Sequence, residues 1–460
     1  MDQSLVFDLE LIKRHDKSGP RYTSYPTAVQ FHDGFGETDY RRIAQQSNTG
    51  KPPLSLYFHI PFCDTVCFYC ACNKIATKDR SKAQPYLDRV YKEMAMQAEL
   101  FDSDRMVDQL HWGGGTPTFI SHEQMRELMG VTRKHFKLHD DDTGEYSIEI
   151  DPREVTEETI KLLRELGFNR MSLGVQDFDE KVQKAVNRIQ TEAETLAALQ
   201  NARDEGFKSI SIDLIYGLPF QNVESFSKTL DRILAVDPDR LSVFNYAHLP
   251  TMFPPQRRIN EADLPEPSEK LDILQMTNER LEQAGYVYIG MDHFAKPDDE
   301  LAVAQREGHL YRNFQGYSTH ADCDLIGLGV TSIGKVGDSY SQNMRTMDEY
   351  CEAIDAGRLP VFRGVELDKD DLLRREIITE LMCNFHLNKQ SVESKYSIKF
   401  NEYFKREEAD IAQLEQDGLI KVEGADIQVL PAGRFLIRNV CMVFDKYLRQ
   451  SKEQRFSKVI

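Results

Sequence analysis

No stretch of the 460 residues reaches the roughly 18–20 consecutive apolar side chains that cross a bilayer, so no membrane-spanning helix is expected. The chain opens Met-Asp-Gln-Ser and soon reads Asp8 and Glu10, without the basic stretch and apolar run of a secretory leader. Positive charge is also scarce. Lys and Arg number 57 against 75 Asp and Glu, a formal net charge of -18. An acidic surface of this kind disfavours non-specific binding to nucleic acid or to an anionic membrane. An anionic substrate would need a basic pocket set against the global field. Internal repeats and low-complexity tracts are absent as well. What remains is a cytoplasmic globular chain, 40% hydrophobic and 29% charged, with ample material for a sizeable core. Its length exceeds one ordinary core, so a large catalytic domain with smaller additions is expected.

The cysteines lack the pairing of a disulfide framework. Four of the 8 fall between Cys63 and Cys72, whereas Cys323, Cys351, Cys383 and Cys441 are scattered. In a reducing compartment a cluster of this kind points to metal or redox work. The loop reads Cys63-Asp-Thr-Val-Cys67-Phe-Tyr-Cys70-Ala-Cys72. Thiolates are soft ligands that suit iron–sulfur clusters or zinc. A structural zinc site normally uses two knuckles far apart in sequence, and no second pair follows here. Cys70 and Cys72 are also too close in sequence to share one tetrahedral ion easily. Three thiolates at Cys63, Cys67 and Cys70 can instead wrap one cubane cluster and leave its fourth iron open to a small chelating cofactor. Zinc and free thiols are the weaker alternatives.

From about residue 54 short apolar strands alternate with amphipathic helices, which implies an α/β fold with a parallel sheet. Strands are expected at Leu54–His59, Gln109–Trp112, Tyr146–Ile150, Arg170–Val175, Ser209–Ile215 and Leu241–Tyr246. Helices are expected at Ala83–Leu100, Glu123–His135, Glu157–Leu166, Glu192–Glu205, Val223–Leu234 and Glu269–Ala284. Periodicity alone does not choose between an incomplete barrel and an open doubly wound sheet. The conspicuous residues sit at the C-terminal ends of successive strands: the cysteines, Gly113-Gly114-Gly115-Thr116, Glu149 and Asp151, Gln176, Asp213 and Ala247. In parallel α/β architectures active sites are built at that end. Residues 1–50 read as a polar, irregular, solvated arm. The segment 51–365 reads as the catalytic part with an extension, and 366–460 as a mainly helical C-terminal domain. In that last segment Asp370–Met382, Gln390–Glu393, Asn401–Asp417 and Arg434–Arg449 are expected helical, around a strand pair at Leu419–Val422 and Ile427–Leu430.

The cysteine loop, preceded by Tyr57-Phe58-His59-Ile60-Pro61-Phe62, resembles that of the radical S-adenosylmethionine enzymes. A narrower set resembles the oxygen-independent coproporphyrinogen III oxidase (dehydrogenase) family. It comprises Gly19–Thr27, Cys72, Trp112–Thr118, Glu149-Ile150-Asp151-Pro152-Arg153-Glu154, Gly174–Phe178, Asp213–Pro219, Asn245-Tyr246-Ala247-His248 and Asn313-Phe314-Gln315-Gly316-Tyr317. The likeness runs from about residue 10 to Ile460. It implies a partial, six-unit parallel β/α barrel with an N-terminal arm and a helical C-terminal domain. The implied reaction turns two propionate side chains of coproporphyrinogen III into vinyl groups, giving protoporphyrinogen IX. A 5′-deoxyadenosyl radical from S-adenosylmethionine starts it.

By the same resemblance, Cys63, Cys67 and Cys70 hold a 4Fe–4S cluster, and two S-adenosylmethionine molecules bind. Tyr57, Gly114, Glu149, Ala247 and Ile333 match positions for the first. Tyr69, Gly115, Thr116, Gln176, Arg188 and Asp213 match positions for the second, with Tyr69 standing where Phe is usual. Cys72 marks the branch of the family and is not a cluster ligand. Arg21 and Tyr22 are candidate contacts for the substrate's carboxylates. His59 and His248 are read as packed or hydrogen-bonded, not as bases. An electron-donor protein of the flavodoxin or ferredoxin type and a monomeric state are further expectations. The rival reading is a haem chaperone of the same superfamily, a branch that typically lacks Cys72 and the Arg21-Tyr22-Thr23-Ser24-Tyr25-Pro26 string.

Overall fold

The computed structural model describes residues 5–450. The last ten residues of the expected C-terminal domain, 451–460, lie outside the described residues, as do the first four. The chain divides into two compact units. One comprises Phe31–Ile273 and Asp322–Glu366, the other Met1–Gln30, Leu274–Ala321 and Leu367–Ile460.

The first of these units is built on a mainly parallel sheet, in keeping with the α/β expectation. Its strands are β1 (Leu54–Ile60), β2 (Met106–Gly114), β3 (Glu145–Ile150), β4 (Arg170–Gln176), β5 (Ser209–Tyr216) and β6 (Arg240–Asn245). They pair in sequence order, each parallel to the next. A helix returns the chain between each strand and the next: α1 (Ala83–Ala98), α2 (His122–His135), α3 (Glu157–Glu165), α4 (Glu192–Asp204) and α5 (Val223–Val236). Four of the five helix starts have a local cause. Ser121, Thr156, Thr191 and Asn222 each accept a hydrogen bond from the backbone N–H three residues on, a cap worth about 1 kcal/mol. Alternation sets the burial of the strands. Along β4 the odd positions Met171, Leu173 and Val175 are buried while their neighbours are only half-buried. Under the sheet the fully buried Trp112 indole packs edge-on to the Phe58 and Phe168 rings.

The sheet does not end at β1. On its far side β7 (Asp324–Leu328) runs parallel to β1, and β8 (Ile333–Val336), β9 (Ser339–Asn343) and β10 (Val361–Glu366) continue it antiparallel. These short strands carry Gly327 and Gly334 and are punctuated by Gly329 and Gly337, which blurs their pattern in sequence.

In the other unit the reading of a solvated arm is corrected. Asp8 caps a helix at Leu9–Arg14 by accepting from the Leu11 N–H at 2.9 Å. Tyr22 and Tyr25 are buried, and the Arg438 guanidinium donates to the Gly19 and Pro20 carbonyls. Within 1–50 a second helix was also missed, at Glu37–Ser47 in the first unit. It is held by buried Tyr40, Ile43 and Ala44 at i, i+3, i+4 spacing. In the C-terminal segment Lys369–Asn384 is one helix, but the expected Arg434–Arg449 helix is three pieces, Pro431–Phe435, Ile437–Met442 and Lys446–Gln450. The break before the last has a cap as its cause: Asp445 accepts from the Tyr447 and Leu448 N–H groups. Asn401–Asp417 is likewise divided into Phe400–Tyr403 and Glu408–Gln416, and His386–Asn388 adds a third strand to the expected pair.

Candidate active site

The cysteine loop leaves the sheet at Ile60. Phe62–Cys63 pairs in parallel with Ile75–Ala76, so the loop between them is closed at its stem. Two contacts pin its far side: Phe68 N–H donates to the Val186 carbonyl at 2.9 Å, and the Asn187 amide donates to the Val66 carbonyl at 2.8 Å. Within this frame Cys63 and Cys67 are buried, Cys70 is half-buried and Cys72 is exposed. Each of the three expected ligands has its own donor. The Thr116 hydroxyl lies 3.6 Å from Cys63 Sγ, Arg188 Nη1 lies 3.5 Å from Cys67 Sγ, and the Cys72 N–H lies 3.4 Å from Cys70 Sγ. Burial pushes the Cys63 thiol up to about 11, against the Thr116 hydroxyl. Cys72 pulls the Cys70 thiol well down, helped by the Lys74 ammonium, while Cys72 itself is pushed up by Cys70.

The glycine run packs against this loop. Gly115 N–H donates to the Ile60 carbonyl and Thr116 N–H to the Phe62 carbonyl, at 2.8 and 2.7 Å. A Cβ on Gly115 would lie 2.6 Å from the Phe62 carbonyl oxygen, so only hydrogen fits there. Gly114 has φ +111°, and a Cβ would strike the His59 ring at 2.7 Å. The glycines therefore bring the backbone close to the cysteine loop.

Strand ends supply the carboxylates. Glu149 accepts from the Gly114 N–H at 3.1 Å and meets His111 Nε2 at 3.4 Å. Its side chain is 47% exposed, but it lines a concave wall where protein surrounds it. That enclosure pushes its carboxyl up, and His111 and the Gly114 N–H together hold it below its ordinary range. Asp213 accepts from the Ser172 hydroxyl at 2.6 Å, and burial raises it to about 6. Tyr57 stacks on His111 with ring centroids 5.8 Å apart and meets His59 Nδ1 at 3.1 Å. His59 Nε2 in turn meets the Asn73 carbonyl at 3.0 Å, and burial lowers its pKa, so it is a locked neutral ring. Gln176 holds φ +67° at the end of β4. The Gln256 amide donates to both the Tyr69 and Ala247 carbonyls, at 3.0 and 3.3 Å.

One cavity of about 300 Å³ gathers most of the expected residues. Cys63, Cys67, Cys70, Tyr69, Gly114, Gly115, Thr116, Glu149, Gln176, Arg188 and Asp213 line it, together with Cys72. Tyr57, Ala247 and Ile333 do not; Ile333 opens β8, paired with Gln342. Arg21 and Tyr22 belong to the other unit, where Arg21 pairs with Asp292 and the buried Tyr22 hydroxyl donates to Asp445 at 3.0 Å. His248 Nδ1 meets the Tyr246 hydroxyl at 2.8 Å. Sequence reasoning gave no role to several lining residues, namely Lys74, Arg153, Ser172 and Phe244. Arg153 stood inside a quoted motif, whereas Lys74 and Ser172 carried no signal.

The donor set suits a cluster and an organic cofactor. Soft thiols meet at one rim, and hydrogen-bonding groups line the rest. Two lining residues keep buried polar atoms without a protein partner, Gln176 Oε1 and Arg188 Nε. A buried polar atom without a partner is costly and calls for a ligand.

A cysteine loop at the C-terminal edge of a parallel α/β sheet defines a class, and the comparisons agree. The Radical SAM superfamily model matches residues 57–233, and the HemN C-terminal domain model matches residues 367–436. The oxygen-independent coproporphyrinogen III oxidase of Pseudomonas aeruginosa is 53% identical over 460 residues, covering 100% of both chains. That of Escherichia coli is 51% identical over 459 residues, covering 100% of this chain and 99% of its own. A solved structure described as coproporphyrinogen III oxidase (HemN) from Escherichia coli, a radical SAM enzyme, superposes with a TM-score of 0.92 at 50% identity. It covers 96% of this chain and 100% of that one. The chain belongs to the family of oxygen-independent coproporphyrinogen III oxidases.

Proposed function

We infer that this protein is the oxidoreductase that converts two propionate side chains of coproporphyrinogen III to vinyl groups without oxygen, in haem biosynthesis. The observation that carries the reading is the gathering of Cys63, Cys67 and Cys70 with Glu149, Gln176 and Asp213 around one cavity, in a chain matched end to end by enzymes of this name. For each propionate the reaction removes a hydrogen atom and an electron and releases carbon dioxide. Cys63, Cys67 and Cys70 would hold a 4Fe–4S cluster. When bound, the reduced cluster and S-adenosylmethionine supply the one-electron cleavage from which hydrogen abstraction follows.

The chain's own residues bind, orient and shield. Glu149 and Asp213 are acceptors for ribose hydroxyls or an amino group, and Arg188 is a donor for a carboxylate. Gln176 brings an unpartnered buried carbonyl oxygen, and Tyr69 a ring face. His59, neutral and held on both nitrogens, moves no proton. We assign Tyr57, Gly114, Glu149, Ala247 and Ile333 to a first S-adenosylmethionine, and Tyr69, Gly115, Thr116, Gln176, Arg188 and Asp213 to a second. Arg21 is retained as a contact for a substrate carboxylate; an unchanged KM in Arg21→Ala would count against it. Tyr22 is the weaker candidate, because its hydroxyl is already committed to Asp445.

The wider reading has four parts. The six parallel strands form a partial β/α barrel within residues 51–365, after an arm at 1–50. Residues 366–460 form a mainly helical C-terminal domain. The protein acts as a cytoplasmic monomer. A flavodoxin- or ferredoxin-type protein delivers the electron. Anaerobic incubation of the reconstituted, reduced protein with S-adenosylmethionine and coproporphyrinogen III tests the function. The expected product has lost two carboxyl groups, and stable haem binding without turnover would favour the chaperone reading instead.

A further inference from the structure

The Glu149–Glu154 stretch reaches the cavity through Glu149, but Asp151 and Arg153 form a second arrangement beside it. Asp151 is 8% exposed and lies between two guanidinium groups. Its Oδ2 accepts from Arg153 Nη2 at 2.7 Å and from Arg188 Nη1 at 3.0 Å, and its Oδ1 accepts from Arg153 Nε at 3.0 Å. Both arginines also reach Cys67. Arg188 Nη1 stands 3.5 Å from its sulfur, and Arg153 Nη2 stands 3.9 Å away. Arg188 is anchored a third time by the Gly174 carbonyl, and Cys67 itself is buried. The two guanidinium groups and one carboxylate leave one net positive charge against a single cluster ligand.

We propose that Arg153 and Arg188, locked by Asp151, form a cationic bracket on the Cys67 sulfur that raises the reduction potential of the cluster held there. Arg153 is the positioning and tuning residue that has no other part in the site. Reduction adds one electron from an external donor such as dithionite and breaks no bond. The added negative charge is stabilised by a nearby cation, and more strongly in a buried site than in water. N–H donors on a ligand sulfur act in the same direction by drawing off its electron density. The competing explanation is that Asp151 and Arg153 only close the turn at 151–154, where Asp151 also accepts from the Arg153 N–H at 3.1 Å.

The inference rests on the cluster reading, which iron content and the wild-type spectrum check separately. The test is an anaerobic redox titration of the cluster-loaded full chain, followed by electron paramagnetic resonance and without substrate. At the potential where the wild type is half reduced, Arg153→Gln is expected to show about a tenfold lower ratio of reduced to oxidised cluster. For a one-electron couple that is a shift of about 59 mV to more negative potential. Arg153→Lys, which keeps the charge, is expected to recover most of the shift. Asp151→Asn leaves both guanidinium groups uncompensated and is expected to move the potential the opposite way. An unchanged midpoint in iron-replete Arg153→Gln overturns the proposal, as do Arg153→Gln and Asp151→Asn shifts of the same sign. If Arg153→Gln does not retain iron, Asp151→Asn decides, and a midpoint that fails to rise overturns the bracket.

Discussion

At the scale of single residues, the cavity works through groups whose protonation the fold has displaced. Asp213 is the clearest case. Burial raises it to about 6, so it is a full acceptor only above that pH. S-adenosylmethionine affinity, measured by calorimetry, is therefore expected to strengthen as pH rises through about 6. Asp213→Asn should flatten that dependence and weaken binding. Gly115 acts by having no side chain. Gly115→Ala would place a Cβ 2.6 Å from the Phe62 carbonyl oxygen, displacing the stem of the cysteine loop. The expected result is a folded protein, by circular dichroism, that retains less than half the wild-type iron. Residue types and spacing made much of this site legible. Thiols separated by three and then two intervening residues, a glycine run after the next strand and carboxylates at strand ends are each visible in one dimension. Other features were not. Gln176 at positive φ, and Arg188 divided between Cys67, Asp151 and Gly174, depend on contacts across 121, 37 and 14 residues. No local pattern encodes those.

At the scale of elements, strands and helices of the first unit were legible where one face is buried and a cap residue marks the start. The six strands and the helices between them lie close to their expected positions for that reason. The reading failed where elements are too short to display a period, as in the Gly-punctuated strands β7–β10 and the helix pieces from Pro431 onward. One buried group ties such a region to a helix of the parallel sheet. Glu93 on α1 accepts from the Gly329 N–H, the Asn343 amide and the Tyr350 hydroxyl at 2.8, 2.7 and 2.6 Å. Burial raises its carboxyl to about 7. A raised carboxyl binds its proton more tightly when folded, so its contribution is full below the unfolded pKa. Stability is lost as pH rises between about 4.3 and about 7. Chemical denaturation of the wild type and Glu93→Gln is expected to diverge over that window, with the variant less sensitive to pH. Glu93→Ala, which strands three buried donors, is expected to cost about 3 kcal/mol or more.

At the scale of the whole molecule, charge and chemistry pull against each other. A chain with formal net charge -18 must accept a substrate with four carboxylates. Screening should relieve that repulsion. The KM for coproporphyrinogen III is expected to fall as ionic strength rises from about 0.01 M to about 0.15 M, where the screening length shortens from about 30 to about 8 Å. A KM that rises with salt would show that a local basic pocket governs capture. Among the described residues no helix is long and apolar enough to cross a membrane. The central claim concerns the cluster and its one free coordination site: Cys63, Cys67 and Cys70 would hold the cluster, whereas Cys72, which lines the same cavity, would not be a ligand. Electron paramagnetic resonance of the reduced protein, recorded with and without S-adenosylmethionine, tests it most directly. The expected result is a 4Fe–4S signal whose spectrum changes when the cofactor is added. A signal that the cofactor leaves unchanged would contradict an open iron at Cys63, Cys67 and Cys70.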